Sequence, residues 1–247
     1  MKLEYADGRL WRGDCLELMQ EIPSGSIDMI LCDLPYGTTQ NKWDAVIPFE
    51  PLWREYWRIV KTNGAIVLTA SQPFSSALVM SQPDHFKYEW VWEKDQATGH
   101  LNAKKQPMRA HESILVFYQK QCIYNPVMVD GAPIVMVKNQ ANASSNYGSQ
   151  TKVTYNSDKR YPRTVQRIGK DSKNSNIHPT QKPVALFEYL IKTYTNPGEI
   201  VLDNTSGSGT TAIAARNTNR RWVCIEQDET YFDKSRERIE AHTVLDI

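Results

Sequence analysis

An α/β fold built on a doubly wound, mostly parallel sheet is the architecture this sequence predicts, and three observations carry it. Short apolar runs alternate with stretches of helical spacing along most of the 247 residues. Two of those runs, 27–32 and 199–202, stop abruptly at an acid followed by a turn, as strands do at the carboxyl edge of a sheet. The second leads into Gly207-Ser208-Gly209, which opens a helix in the manner of a nucleotide site.

Taken in order, residues 9–12 read as a short strand closed by the turn Gly13-Asp14. Leu16, Met19 and Ile22 stand at helical spacing, so 15–22 is a brief crossover helix, stopped by Pro23-Ser24-Gly25-Ser26. The strand 27–32 completes a βαβ unit, which implies parallel strands and right-handed crossovers. The amphipathic, aromatic-rich stretch 49–60 is a helix on the sheet, ended by Asn63-Gly64. A buried strand over 65–70 and a crossover helix over 73–80 follow. Residues 88–92 alternate and 113–118 return as a strand, while the polar, basic stretch 93–112 between them reads as a loop. Leu186, Phe187, Leu190 and Ile191 mark one face of a helix over 183–194, broken by Pro197-Gly198. A strand over 199–202, a small-residue helix over 210–216, a strand over 221–225 ending at Glu226 and a helix over 229–241 complete the chain.

The stretch 119–177 has a different texture. Helical periodicity disappears, Asn, Gln, Ser, Tyr and Pro rise, and nine Lys/Arg face three Asp/Glu in a chain whose net charge is only +1. A basic, amide-rich, tyrosine-bearing insertion is the footprint of a nucleic-acid contact surface. It divides the chain into 1–118, the insertion 119–177, and 178–247. Cys15, Cys32, Cys122 and Cys224 show no CxxC pairing and read as reduced residues of a cytoplasmic protein. No apolar run approaches a membrane span, and the start Met1-Lys2-Leu3-Glu4 is not a signal peptide. His111-Glu112 lacks a second His four residues on, so no metal site is expected.

Two stretches carry chemistry. Asp33-Leu34-Pro35-Tyr36 ends its strand in a stiff turn, because Pro35 cannot donate to a ladder and biases Leu34 away from helix. That turn presents a carboxylate, a bare carbonyl and an aromatic face, which together suit a flat heterocycle bearing an exocyclic amine. At the other site Gly207 and Gly209 allow close backbone approach, and the helix end that follows favours negative charge. Glu226, 23 residues after Asp203, is placed to accept both hydroxyls of a ribose. The two sites form one only if their strands are neighbours in the sheet. A generic nicotinamide oxidoreductase offers a similar glycine pair, yet the third glycine is absent, since residue 212 is Ala.

With both stretches in place the sequence resembles the DNA amino-methyltransferases that use S-adenosylmethionine, in particular the permuted (beta) group whose catalytic motif precedes the cofactor motif. The likeness rests on Gly13-Asp14-Cys15-Leu16, Asp33-Leu34-Pro35-Tyr36-Gly37, His178-Pro179-Thr180-Gln181-Lys182-Pro183 and the stretch from Val201 to Thr211. Leu34 stands where the group commonly has Pro, and Asn204-Thr205 where it usually has Pro-Phe. The resemblance implies a seven-stranded Rossmann-like methyltransferase sheet. It implies Asp33, Pro35 and Tyr36 as catalytic residues acting on a flipped base. Asp203, Ser206, Gly207, Gly209 and Thr210 would cradle the methionine part of the cofactor, with Glu226 at the ribose and Asp14 at the adenine end. Thr180 and Lys182 would lie near its carboxylate. Lys104, Lys105, Arg109, Arg160, Arg163 and Arg167 are the candidate contacts to double-stranded DNA. Asp rather than Ser before the Pro-Tyr pair favours adenine N6, with cytosine N4 as the alternative. A homodimer and a cognate restriction nuclease are further partners that the family admits. Protein glutamine methyltransferases place their cofactor motif first and lack a basic insertion; a silent DNA-binding relative would not need intact Asp33, Tyr36, Asp203 and Glu226.

Overall fold

The computed structural model describes residues 1–37, 44–137, 154–171 and 181–242, without the side chains of 133–137 and 154–156. The chain runs β1 (Lys2–Glu4), β2 (Gly8–Arg12), α1 (Cys15–Met19), β3 (Ile27–Asp33), α2 (Phe49–Ile59), β4 (Val60–Ala70), α3 (Phe74–Ser81), β5 (Phe86–Thr98) and β6 (Arg109–Phe117). It continues through β7 (Val129–Val137), β8 (Thr154–Arg160), β9 (Val165–Arg167), α4 (Val184–Tyr194), β10 (Ile200–Asp203), α5 (Thr210–Asn217), β11 (Arg221–Glu226) and α6 (Glu229–Ala241).

Nine of these strands form one sheet in the order β1-β2-β11-β10-β3-β4-β6-β5-β9. The five strands from β2 to β4 are parallel, while β6 lies antiparallel to both β4 and β5. The seven strands expected from the sequence occupy the centre, and the three-residue strands β1 and β9 add one to each edge. β2 and β3, consecutive in the chain, are not neighbours: β11 and β10 lie between them. The reversal of winding therefore falls between β10 and β3, the crevice where doubly wound sheets bind ligands.

Alternation along β3 shows why helices cover both faces. Met29 and Leu31 point into one apolar cluster with Leu186, Leu190, Ala214 and Phe232, from α4, α5 and α6. Ile30 and Cys32 point into the other, with Met19, Leu52, Tyr56 and Leu78, from α1, α2 and α3. A strand buried on both sides must be apolar at every position, and β3 is, save for Asp28 and Asp33. Asp28 is buried but paired: it accepts from the Ile200 N–H at 2.9 Å and from Lys61 Nζ at 2.6 Å, which ties the start of β10 to β3.

The stretch 93–112 corrects the sequence expectation of a loop. β5 runs on to Thr98 and β6 begins at Arg109, with Glu93 opposite His111 and Thr98 opposite Arg109, so the loop shrinks to 99–108. Cross-strand pairing outweighs the polarity that suggested a loop. Two compact units emerge: residues 1–125 with 164–247, and residues 126–163. The second holds the antiparallel β7–β8 pair, in which Val129 faces Arg160 and Val137 faces Thr154. No helix among the described residues is long and apolar enough to cross a membrane.

Candidate active site

Adjacency of β3 and β10 makes one site of the two motifs. Met29 and Ile30 pair with Val201 and Leu202, so Asp33 and Asp203 reach the same sheet edge together. The loops beyond are cross-linked, since the Thr205 hydroxyl donates to the Asp33 carbonyl at 3.2 Å and the Asn204 N–H to Cys32 Sγ at 3.3 Å. A cavity of about 840 Å³ opens over this junction.

One end of the cavity is walled by Gly13, Asp14, Leu16, Gly207, Glu226 and Tyr231. Glu226 closes β11; its carboxylate accepts from the Gly207 N–H at 2.7 Å and the Asp228 N–H at 2.8 Å. Burial raises its pKa, against the pull of those two N–H groups. Asp14 caps α1, accepting from the Leu16 and Glu17 N–H groups at 2.8 and 3.2 Å. Gly207 and Gly209 both hold positive φ, 49° and 73°, and a Cβ on Gly209 would press on Ser235 and Ile239 of α6 at 3.2 Å.

Asp33 lines the cavity too, as do Tyr36, Gln72, Trp92, Lys94, Arg109 and Glu112. Asp33 Oδ1 accepts from the Tyr36 hydroxyl at 2.7 Å and from the Thr69 hydroxyl, while Oδ2 accepts from Lys182 Nζ at 2.5 Å. Thr69 is its neighbour in register on β4. Tyr36 stacks on Phe74, centroids 5.1 Å apart. Behind this pair, Lys182 Nζ lies 3.3 Å from Glu112 Oε2, and Glu112 Oε1 is 2.5 Å from Lys94 Nζ. Burial works against both Lys182 and Glu112 as ions, but the opposite charges outweigh it, raising the Lys182 pKa and lowering that of Glu112.

Not every candidate residue reaches the cavity. Asp33, Pro35, Tyr36, Asp14, Lys182, Gly207, Glu226 and Arg109 line it. Asp203 lies beneath the loop, buried, its oxygens taking the Thr205 N–H and the Thr211 hydroxyl; burial pushes its pKa to about 7. Thr210 faces Arg238 at 3.1 Å and the Lys182 carbonyl at 3.4 Å, Gly209 faces α6, and the Ser206 hydroxyl is buried. Thr180 lies outside the described residues. Lys104 and Lys105 stand exposed in the 99–108 loop, and Arg167 on the exposed edge strand β9. Arg160 hydrogen-bonds within its own unit, to the carbonyls of Ser157, Lys159 and Ala132; exposed Arg163 ends that unit.

Sequence reasoning missed Thr69, Glu112 and Lys94. Thr69 had a signal, a hydroxyl near the end of an apolar run; Glu112 was weighed only as a metal ligand, and Lys94 sat in an expected loop.

The family model described as DNA methylase, of the N6/N4 group, matches residues 27–237. This chain belongs to the DNA methylase family. Members of that family use S-adenosylmethionine as methyl donor. The chain is 27% identical to the type II methyltransferase M.HpaI of Haemophilus parainfluenzae, covering 95% of this chain and 75% of that protein. Its fold matches the M1.HpyAVI complex with S-adenosylmethionine at TM-score 0.66 and 23% identity, over 94% of this chain and 98% of that one. It also matches the cytosine-N4-specific PvuII DNA methyltransferase at TM-score 0.68 and 17% identity, over 94% and 86%.

The methylase cavity fits that donor. Glu226 supplies acceptors at the sheet edge, the glycine loop leaves room for close approach, and 840 Å³ exceeds the lower range of ligand pockets.

Proposed function

We propose that this DNA methylase transfers a methyl group to the exocyclic N6 amine of an adenine flipped out of duplex DNA. The observation that carries the reading is Asp33 held by three donors on the floor of a cavity that runs unbroken to Glu226. S-adenosylmethionine, when bound, supplies a methyl group activated by its sulfonium. Glu226 accepts the ribose hydroxyls, Asp14 serves the adenine end, and Lys182 serves the carboxylate. Asp203, Ser206, Gly209 and Thr210 shape the loop that Gly207 presents.

An exocyclic amine is a poor nucleophile because its lone pair is delocalised into the ring. Asp33 accepts one N–H and the Pro35 carbonyl the other, which favours a pyramidal nitrogen with its lone pair aimed at the methyl carbon. With the donor bound, that nitrogen would take the methyl group as the sulfonium leaves as a neutral thioether, and its extra proton would pass to solvent. Positioning is the main contribution of the protein. A stacked base cannot reach this floor, so it must leave the helix, with Tyr36 packing on it.

Residues 1–118 and 178–247 supply the two halves of the catalytic domain, and 119–177 reads the target. Lys104, Lys105, Arg109, Arg163 and Arg167 meet DNA, with Arg160 bracing the recognition hairpin. By analogy with M.HpaI the enzyme is the modification arm of a restriction–modification pair. Asp33 before Pro35-Tyr36 supports adenine. The fold likeness to PvuII methyltransferase favours a second reading, cytosine N4. Mass spectrometry of nucleosides from DNA treated with enzyme and donor separates them: N6-methyl-2′-deoxyadenosine is expected, N4-methyl-2′-deoxycytidine supports the second reading, and neither refutes both.

A further inference from the structure

Asp33 is heavily engaged for a group that must still accept an amine N–H. Oδ1 already takes two hydroxyls and Oδ2 an ammonium, so one of about four lone-pair positions is left for an amine. The ammonium is also the wrong charge there, because the target nitrogen gains positive charge as the methyl group arrives. Glu112 offers the remedy. Its buried Oε2 makes a longer ion pair, 3.3 Å, with the same ammonium that crowds Asp33. The ammonium leans toward Asp33, at 2.5 Å against 3.3 Å, so a shift toward Glu112 would reverse the preference without leaving the cation unpaired.

We propose that Glu112 is a positioning residue that draws Lys182 off Asp33 when the target amine enters. This rests on the methyl-transfer reading above. In the free enzyme Lys182 bridges the two carboxylates; with the base in place it turns to Glu112 Oε2, and the vacated Asp33 oxygen accepts the amine N–H. Lys94, 2.5 Å from Glu112 Oε1, fixes the receiving carboxylate from behind. The four charges Asp33, Lys182, Glu112 and Lys94 sum to zero. Without Glu112 the site would be net cationic where positive charge develops. All but Asp33 have side chains less than 15% exposed, so water screens the effect poorly.

Single-turnover methylation of duplex DNA that the parent enzyme modifies tests this, with thermal melting run on every variant. Glu112→Gln should slow transfer about tenfold or more at saturating donor, with donor affinity unchanged. Glu112→Gln joined to Lys94→Met restores the balance of buried charge, and under the proposal stays slow because nothing draws Lys182 away. In a Lys182→Met background Glu112→Gln should cause no further loss. Rescue by Lys94→Met would show that Glu112 serves only to pair Lys94, and would overturn the proposal. Equal losses from Glu112→Gln with and without Lys182, or a parent-like rate in Glu112→Gln alone, would overturn it too. A parent enzyme that methylates no DNA sinks the proposed function itself, and this inference with it.

Discussion

Replacing Asp33 by Asn tests the chemistry with the least change of shape. The new amide keeps a carbonyl for the Tyr36 and Thr69 hydroxyls but turns an NH₂ toward Lys182 Nζ, which now stands 2.5 Å from Oδ2. Breaking a buried ion pair costs about 3–5 kcal/mol. Here Lys182 keeps Glu112, and the Asp33 side chain is 23% exposed, so a stability loss of about 1–3 kcal/mol is expected. The rate should suffer more, because the anion that faces the developing positive charge is gone. A fall of about a thousandfold, roughly 4 kcal/mol of barrier, is expected in single-turnover transfer at saturating donor and DNA. Donor affinity should be unchanged, and DNA affinity should hold or rise as a negative charge is removed. A folded Asp33→Asn enzyme that methylates at the parent rate would refute the role assigned to this carboxylate.

Three further outcomes test the donor end, the buried Asp203 and the DNA contacts. Glu226→Ala should weaken donor binding by about 1–3 kcal/mol, since two hydroxyls lose their acceptor; unchanged affinity by calorimetry removes Glu226 from the donor site. Asp203 binds its proton more tightly folded, near 7, than unfolded, near 3.8, so stability falls as pH rises between those values. Relative to Asp203→Asn, the parent should therefore lose about 1.4 kcal/mol per pH unit over that window, and parallel melting profiles would exclude this. Arg163→Ala and Arg167→Ala should weaken DNA binding, with a shallower salt slope where a phosphate contact is lost and relaxed sequence choice where a base contact is lost. A deletion of 126–163 that still folds and methylates the same sequence would rule out target reading by that unit.

The sequence by itself determined the seven central strands, the helices and the two chemical motifs. Apolar runs broken by Asp33-Leu34-Pro35-Tyr36 and by the glycine loop mark strand ends, because proline and glycine act on the backbone locally, whatever surrounds them. Seven strands and the helices between them were legible for the same reason. Tertiary structure decided which strands are neighbours. Nothing local records that β10 and β11 insert between β2 and β3, yet that insertion alone brings Asp33 beside Thr205 and makes one cavity of two motifs. It also decided that 93–98 and 109–112 are strand, since ladder hydrogen bonds depend on a partner and not on polarity. Above all it decided the charges around Asp33. Lys182 is 149 residues from Asp33 in the chain and Glu112 stands on another strand, so their pairing is a property of the folded sheet edge. Coulomb attraction acts through space, and a linear sequence carries no distances except along itself.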